Sequence, residues 1–199
     1  LVFDDGRLKT ANFNTDRGFG LRAVAGEAAG YAHSGEFSGA ALKRAAAAVA
    51  AVKGGHSGRL ADAPAGTNLK LYGEENPIAE PGFEAKAALL REIDAWLRAR
   101  DPRVRQVTAS LAASWQHVEI LRADGRVVRD VRPLVRFSVA VVVGEGERQE
   151  TGSYGMGGRK SFGEFLAEET WKHAAQEALR QALVNLEAVP APAGTFDIV

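Results

Sequence analysis

One stretch of the chain alternates more clearly than the rest. Val131, Val135, Phe137, Val139, Val141 and Val143 fall on one face of an extended backbone, and Asp130, Arg132, Arg136 and Ser138 fall on the other. A period of two built from β-branched residues predicts a half-buried strand. Pro133 interrupts the ladder and predicts an edge or a bulge at that point. Weaker alternation at Val107, Ala109 and Leu111, and again at Val118 and Ile120, predicts strand before it, with Ala123-Asp124-Gly125-Arg126 as the turn between. After a turn at Gly144–Gly146, Arg148–Tyr154 predicts a returning strand.

Helical spacing flanks this block. Leu89, Leu90, Ile93, Trp96 and Leu97 form an apolar stripe over Phe83–Arg100, and Pro102 ends the helix. Phe165, Leu166, Ala175, Leu179, Leu183 and Leu186 form another, over one long helix from Phe162 to about Ala188. Nearer the start, Leu1–Phe3 and Leu8–Phe13 pair around Asp4-Asp5-Gly6, and Phe19–Val24 pairs with Ala28–Ala32 around Gly26-Glu27. This predicts one β-meander. Ser38 has the chemistry of a helix N-cap, and Phe37 and Leu42 the spacing of a hydrophobic staple. Leu42, Ala45, Ala46, Val49 and Val52 then form the inward stripe.

The predicted fold class is α+β: two small lobes, each an antiparallel sheet covered by helices. The expected divisions are an amino-terminal lobe over 1–53, a Gly- and Pro-rich linker over 54–81, a central domain over 82–189 and a connector over 190–199. Leu1-Val2-Phe3 and Phe196-Asp197-Ile198-Val199 both read as strands lacking partners, which gives the expectation that the chain is cut at each end.

Composition narrows the chemistry. The 25 basic and 25 acidic residues cancel, which argues against an extended surface for nucleic acid or anionic lipid. No cysteine is present, so disulfides and thiolate metal sites are excluded. The apolar core Val139–Val143 is far shorter than the ~20 residues a spanning helix needs. Neither a nucleic acid nor a membrane is expected as partner.

The four histidines have ordinary readings. His33 ends a strand, His56 sits in the linker, and His117 shares a polar strand face with Glu119. Glu169, His173 and Glu177 fall on one helical face and have the spacing of a divalent-metal site, but Gln176 and Arg180 mark that face as the solvent side. No serine or histidine belongs to a recognisable triad. The chain is therefore expected to carry no catalytic residue and no metal ligand. One run stands out: Gly152, Ser153, Gly155, Gly157, Gly158 and Arg159, within Gly152–Lys160, have the composition of an anion-cradling loop, or of a simple mobile loop. The run lacks the spacing of a phosphate or dinucleotide fingerprint.

Several stretches, in order, resemble the TldD/PmbA metallopeptidase family. Gly18-Phe19-Gly20-Leu21-Arg22-Ala23-Val24-Ala25-Gly26 through Tyr31-Ala32-His33 is similar to its amino-terminal domain. Asp101-Pro102-Arg103-Val104-Arg105-Gln106-Val107, Ile120-Leu121-Arg122-Ala123-Asp124-Gly125 and Asp130-Val131-Arg132-Pro133-Leu134-Val135 are similar to the central region of the TldD branch. Ala182–Gly194 resembles the connector into its catalytic domain, which implies that 190–199 leads into that domain, and the run Gly152–Arg159 resembles a Gly-rich loop of the same branch, which implies a place beside the substrate path. The resemblance implies a cytoplasmic zinc metallopeptidase subunit that acts on unfolded peptides and pairs with a related TldE (PmbA) subunit. It also implies a His-Glu-x-x-x-His zinc helix beyond the connector, which this sequence does not contain. No cofactor is then expected in this chain, with zinc in the longer parent, and the chain's contribution would be to the substrate chamber and the subunit contacts. The alternative is a stand-alone peptide-binding module without catalysis.

Overall fold

The computed structural model describes residues 1–50, 70–191 and 193–195. The chain forms two compact units, one of Leu1–Asn12 with Lys70–Val199 and one of Phe13–Leu69.

The larger unit is a five-stranded antiparallel sheet with helices on one face. Its strands are β1 (Val2–Asp4), β2 (Arg7–Thr10), β5 (Val104–Leu121), β6 (Val127–Glu145) and β7 (Arg148–Gly158), in the order β2-β1-β5-β6-β7. The helices are α2 (Phe83–Arg100), a single turn α3 (Gly163–Leu166) and α4 (Glu168–Glu187). The smaller unit holds β3 (Phe19–Ala25), β4 (Ala28–Ser34) and α1 (Gly39–Ala50). Each unit is thus an antiparallel sheet with helical cover, the α+β class expected.

The alternating face of β6 makes the core. Val135, Phe137, Val139, Val141 and Val143 are buried with Val107, Ala109 and Leu111 of β5, beneath Leu89, Leu90, Ile93 and Leu97 of α2 and the alanine-rich face of α4. Trp96 meets the buried Trp171 edge-on at 5.9 Å, joining the two helices. The α2 span and stripe are those the spacing predicts.

Four details differ from expectation. The first hairpin does not form a meander with the second, because β1 pairs with β5 through Val2↔Ser110, Phe3↔Ala109 and Asp4↔Thr108. Strand pairing therefore cuts across the division drawn at residue 53. Ser38 does cap α1, its Oγ accepting from the Ala41 amide at 3.1 Å, but the buried stripe is Ala41, Ala45 and Val49. Leu42 and Ala46 are exposed, Phe37 packs edge-on against Phe19, and Val52 lies outside the described residues. The long helix breaks at Ala167, whose ψ of 131° separates α3 from α4. Finally, residues 70–81, placed in the linker by composition, are tied down. Trp115 Nε1 donates to the Glu74 carbonyl at 3.1 Å, and the buried Lys86 Nζ donates to the Pro77 and Ile78 carbonyls at 2.8 Å each.

The turns obey their local chemistry. Asp5 and Gly6 take φ of 49° and 79°, the positive pair that a type I′ hairpin requires. Beyond residue 111, β5 leaves its neighbour β1, and past the last β7 pair, Val135↔Gly158, it continues with β6 as a two-stranded arm, pairing Ser114↔Leu134 out to Leu121↔Val127. Ile120, Leu121, Val127 and Val128 are exposed near its tip. Pro133 lies in this arm, past the end of β7. Its carbonyl points away from β5 towards Arg159 Nη1 at 3.5 Å, so its missing N–H also faces that open side and no ladder bond is lost.

Candidate functional site

The helices cover one face of the large sheet, and the other face carries small polar side chains. Even-numbered residues of β5 and β6 and odd-numbered residues of β7 point there: Thr108, Ser110, Arg136, Ser138, Ala140, Ser153 and Gly155. They line a shallow depression of about 210 Å³. Ser110 and Ser138 sit opposite one another, their Oγ atoms 2.8 Å apart. At one end of the row Asp4 accepts from Lys9 Nζ at 2.7 Å, Gln106 Nε2 at 2.8 Å and Thr108 Oγ1 at 2.7 Å. These bonds, Lys9 first, hold its carboxyl well below the usual carboxylate range. At the other end stands Arg136, which has no acidic partner among the described residues.

The glycine-rich run is not a loop. Gly152 to Gly158 is the second half of β7, paired with β6 from Gly152↔Val141 to Gly158↔Val135. Both loop readings of the run are corrected by this pairing. Glycine erases the alternation by which a strand is recognised, and only Ser153, Tyr154 and Met156 preserve it.

The run divides by face. Gly152 is buried under α4, where an added Cβ would stand 2.2 Å from the Ala178 carbonyl oxygen and 2.3 Å from the Ala182 amide nitrogen. Its role is close helix packing. Ser153, Gly155 and Gly157 lie on the open face. A Cβ at Gly155 would make ordinary contacts, 3.7 Å from Ser138 Cβ and 3.8 Å from Arg136 Nη2. Gly158 adjoins Lys160. Arg159 turns away from the depression, with its guanidinium 5.3 Å over the Tyr72 ring and near Asp130. Tyr72 Oη in turn donates to Asp130 Oδ2 at 3.2 Å.

β7 is also an edge strand. Asn185 Nδ2 donates to the Thr151 carbonyl at 2.9 Å, and the Ser153 amide faces Gln181 Oε1 at 3.5 Å, so these backbone groups point away from β6. The two-residue repeat aims the N–H and C=O of Gly155 and Gly157 the same way. There α4 supplies no partner, and among the described residues the edge is open.

The Glu169, His173, Glu177 face holds no metal arrangement. Glu177 is bound by Arg180 at 2.6 and 2.8 Å and by Gln181 at 3.2 Å, which push its carboxyl down to about 2. His173 meets Tyr154 edge-on at 5.6 Å. Among the described residues no group of three or more metal-ligating side chains comes together. His117 packs edge-on against Trp115 at 4.1 Å, while its neighbour Glu119 pairs with Arg129 at 2.7 Å. His33 stacks on Tyr31 within β4, and His56 lies outside the described residues. The site residues that sequence reasoning passed over are Thr108, Ser110, Arg136 and Ser138. Their signal was the polar side of the β5 and β6 alternation.

Known proteins are similar to this chain along its length. The model of the PmbA/TldA metallopeptidase central domain matches residues 76–186, and that of domain 1 matches residues 1–52. A metalloprotease TldD homolog from Haemophilus influenzae is 39% identical over 206 residues, and one from Buchnera aphidicola is 32% identical over 207. Each alignment takes in the whole of this chain but only 42% of the relative, so the chain spans less than half the length of these proteins. Among solved structures, a protein from Thermotoga maritima described as a proposed modulator of a DNA gyrase superposes with a TM-score of 0.70 at 12% identity. That match covers 98% of this chain and 43% of the other. TldE from Thermococcus kodakarensis superposes with a TM-score of 0.57 at 13% identity, covering 92% and 41%.

Proposed function

We propose that this chain, which belongs to the PmbA/TldD metallopeptidase family, is the non-catalytic amino-terminal part of a TldD-like subunit that processes unfolded peptides. Its work is to guide substrate. The metal implied by the family name, zinc in our reading, is held by residues the longer relatives carry outside the matched region, since the described side chains do not fit one.

The observation that carries the reading is the open half of β7. An edge left unpaired by the described residues, whose outward backbone groups belong to Gly155 and Gly157, is a template for adding an extended peptide as a sixth strand. Main-chain pairing recognises unfolded chains regardless of sequence, as a peptidase of general substrates requires. Ser153, Gly155, Gly157, Gly158 and Arg159 then lie beside the substrate path, with Gly152 anchoring the strand beneath α4. The exposed apolar tip of the arm, Ile120, Leu121, Val127 and Val128, is the surface we assign to contact with a related TldE-like subunit. A lone two-stranded ribbon is only marginally stable in water and gains from such cover.

Peptide turnover by the full-length assembled subunit tests the reading. Gly155→Pro removes the outward N–H at a position where an edge strand tolerates proline, while Gly155→Ala retains it. Loss of one main-chain hydrogen bond, about 1 kcal/mol, predicts a roughly fivefold lower kcat/KM for Gly155→Pro alone. Equal turnover by the two folded variants would remove β7 from the substrate path.

A further inference from the structure

We propose that the depression on the open sheet face binds a peptide carboxylate, with Arg136 as the charge that recognises it. The inference rests on the peptide-processing reading above and adds the chemistry of the group recognised.

Arg136 is the reason. Its neighbours on β6 and β7 are committed: Arg129 to Glu119 at 2.7 Å, Arg132 to Asp130 at 2.5 Å and Arg148 to Glu150 at 3.2 Å. Arg136 lies on the same ribbon with no acid beside it among the described residues. The one carboxylate at the edge of the row, Asp4, is already neutralised by Lys9 and faces two further donors.

The surroundings supply donors and room. Ser110 and Ser138 share a single hydrogen bond, which uses one hydroxyl hydrogen and leaves the other to donate to a ligand. Ser153 adds a third hydroxyl on the same face. At about 210 Å³ the depression is smaller than the 300–1,000 Å³ of sites for drug-sized ligands or cofactors. It suits a carboxylate and the residue that bears it.

The glycines connect this site to the open edge. A peptide paired to β7 would lie two strand spacings, roughly 10 Å, from the β6 backbone. Gly155 and Gly157 put no side chain between Arg136 and that edge, so the guanidinium can extend across β7. It already stands 3.8 Å from where a Gly155 Cβ would be. A side chain larger than alanine at Gly155 would close the passage. The carboxylate comes from either the carboxyl terminus of the peptide or an acidic side chain on the face it shares with Arg136.

Three labelled peptides of one unfolded sequence distinguish the sources when titrated against this chain by fluorescence anisotropy: a free carboxyl terminus with no internal acid, the same peptide amidated, and an amidated peptide with one glutamate. Tighter binding of the first identifies a terminus site, and of the third a side-chain site. In either case the acid should bind about tenfold tighter than the neutral peptide at low salt, the size of one charge-assisted hydrogen bond. Arg136→Ala should abolish the preference, and Arg136→Lys should keep part of it. Arg136 is exposed, so thermal melting should show both variants folded. Equal binding of all three peptides, no binding of any, or a preference that survives Arg136→Ala overturns the inference. Peptide turnover in the assembled parent separates the two readings. Turnover without an acid preference leaves the peptidase reading standing alone, and an acid preference without turnover leaves the carboxylate site standing alone.

Discussion

The division of the glycine run by face makes a quantitative prediction. Gly152 lies where β7 passes under α4, and a Cβ there would approach the Ala178 carbonyl oxygen to 2.2 Å and the Ala182 amide to 2.3 Å. Comfortable contact needs about 3.5 Å. Both obstacles are helix backbone, so neither can rotate aside, and α4 must retreat by more than about 1 Å. A gap of that size forfeits up to half of each dispersion contact along the interface, which here includes Ala174, Ala175, Ala178, Leu179 and Ala182. Overpacking ordinarily costs 1–3 kcal/mol, and a backbone clash belongs at the upper end, so Gly152→Ala should cost about 3 kcal/mol. For a chain of this length that is a fall of roughly 6–12 °C in Tm. Gly155→Ala is the control. Its Cβ meets only ordinary contacts, and the reduced freedom of the unfolded chain should leave stability level or up to about 1 kcal/mol higher. Urea denaturation followed by tryptophan fluorescence reads both, because Trp96 and Trp171 sit in the helical layer. A loss below about 1 kcal/mol for Gly152→Ala, or equal losses for the two, would refute the packing account.

Three further outcomes are expected. The Asp4 carboxyl is held below its unfolded value of about 3.9, chiefly by Lys9 and then by Gln106 and Thr108. The stability it contributes is complete above that value and is lost as pH falls further, so Asp4→Asn should flatten the stability curve below about pH 4. An unchanged acid limb counts against this. Lys86→Met leaves the Pro77 and Ile78 carbonyls without their buried donor and should lower the unfolding free energy by about 2 kcal/mol, whereas a change under 0.5 kcal/mol in the urea titration would show the ammonium to be dispensable. Elemental analysis of this chain should find the same zinc content before and after His173→Ala, since Glu177 is occupied by Arg180; stoichiometric zinc lost in the variant would reverse that reading.

Parts of the fold were legible because local pattern and tertiary environment agree. Phe83–Arg100 has a stripe of long apolar side chains and a proline stop, and the helix occupies those residues. The odd-numbered valines of β6 carry a period of two, and that face is the core. The misreadings occur where side chains are too small to carry a pattern. Alanine at 40, 41, 45, 46, 47, 48 and 50 gives α1 no strong preference for a face, so the stripe could rotate from Leu42 to Ala41. Ala167 carries no break signal, and its extended ψ falls between two side chains buried in the core, Phe165 and Trp171. The partner of the first hairpin lies about a hundred residues away in sequence, a distance no local signal spans.

The open face was hidden for a different reason. Its residues come from three strands, and each strand alone offers an unremarkable polar alternation. Thr108 and Ser110 look like surface, Arg136 and Ser138 look like surface, and the glycines look like a loop. Antiparallel register is what sets Ser110 against Ser138 and Ser138 against Gly155. Once they are set together, the meaning of Arg136 changes. A surface arginine among acids needs no explanation, because exposed ion pairs are common and worth little. An arginine that no acid among the described residues pairs with, beside hydroxyls and next to two glycines that clear its way to the edge of β7, has donors to offer a ligand. That combination of vacancy and access arises from register, which is why it emerges only when the three strands lie side by side.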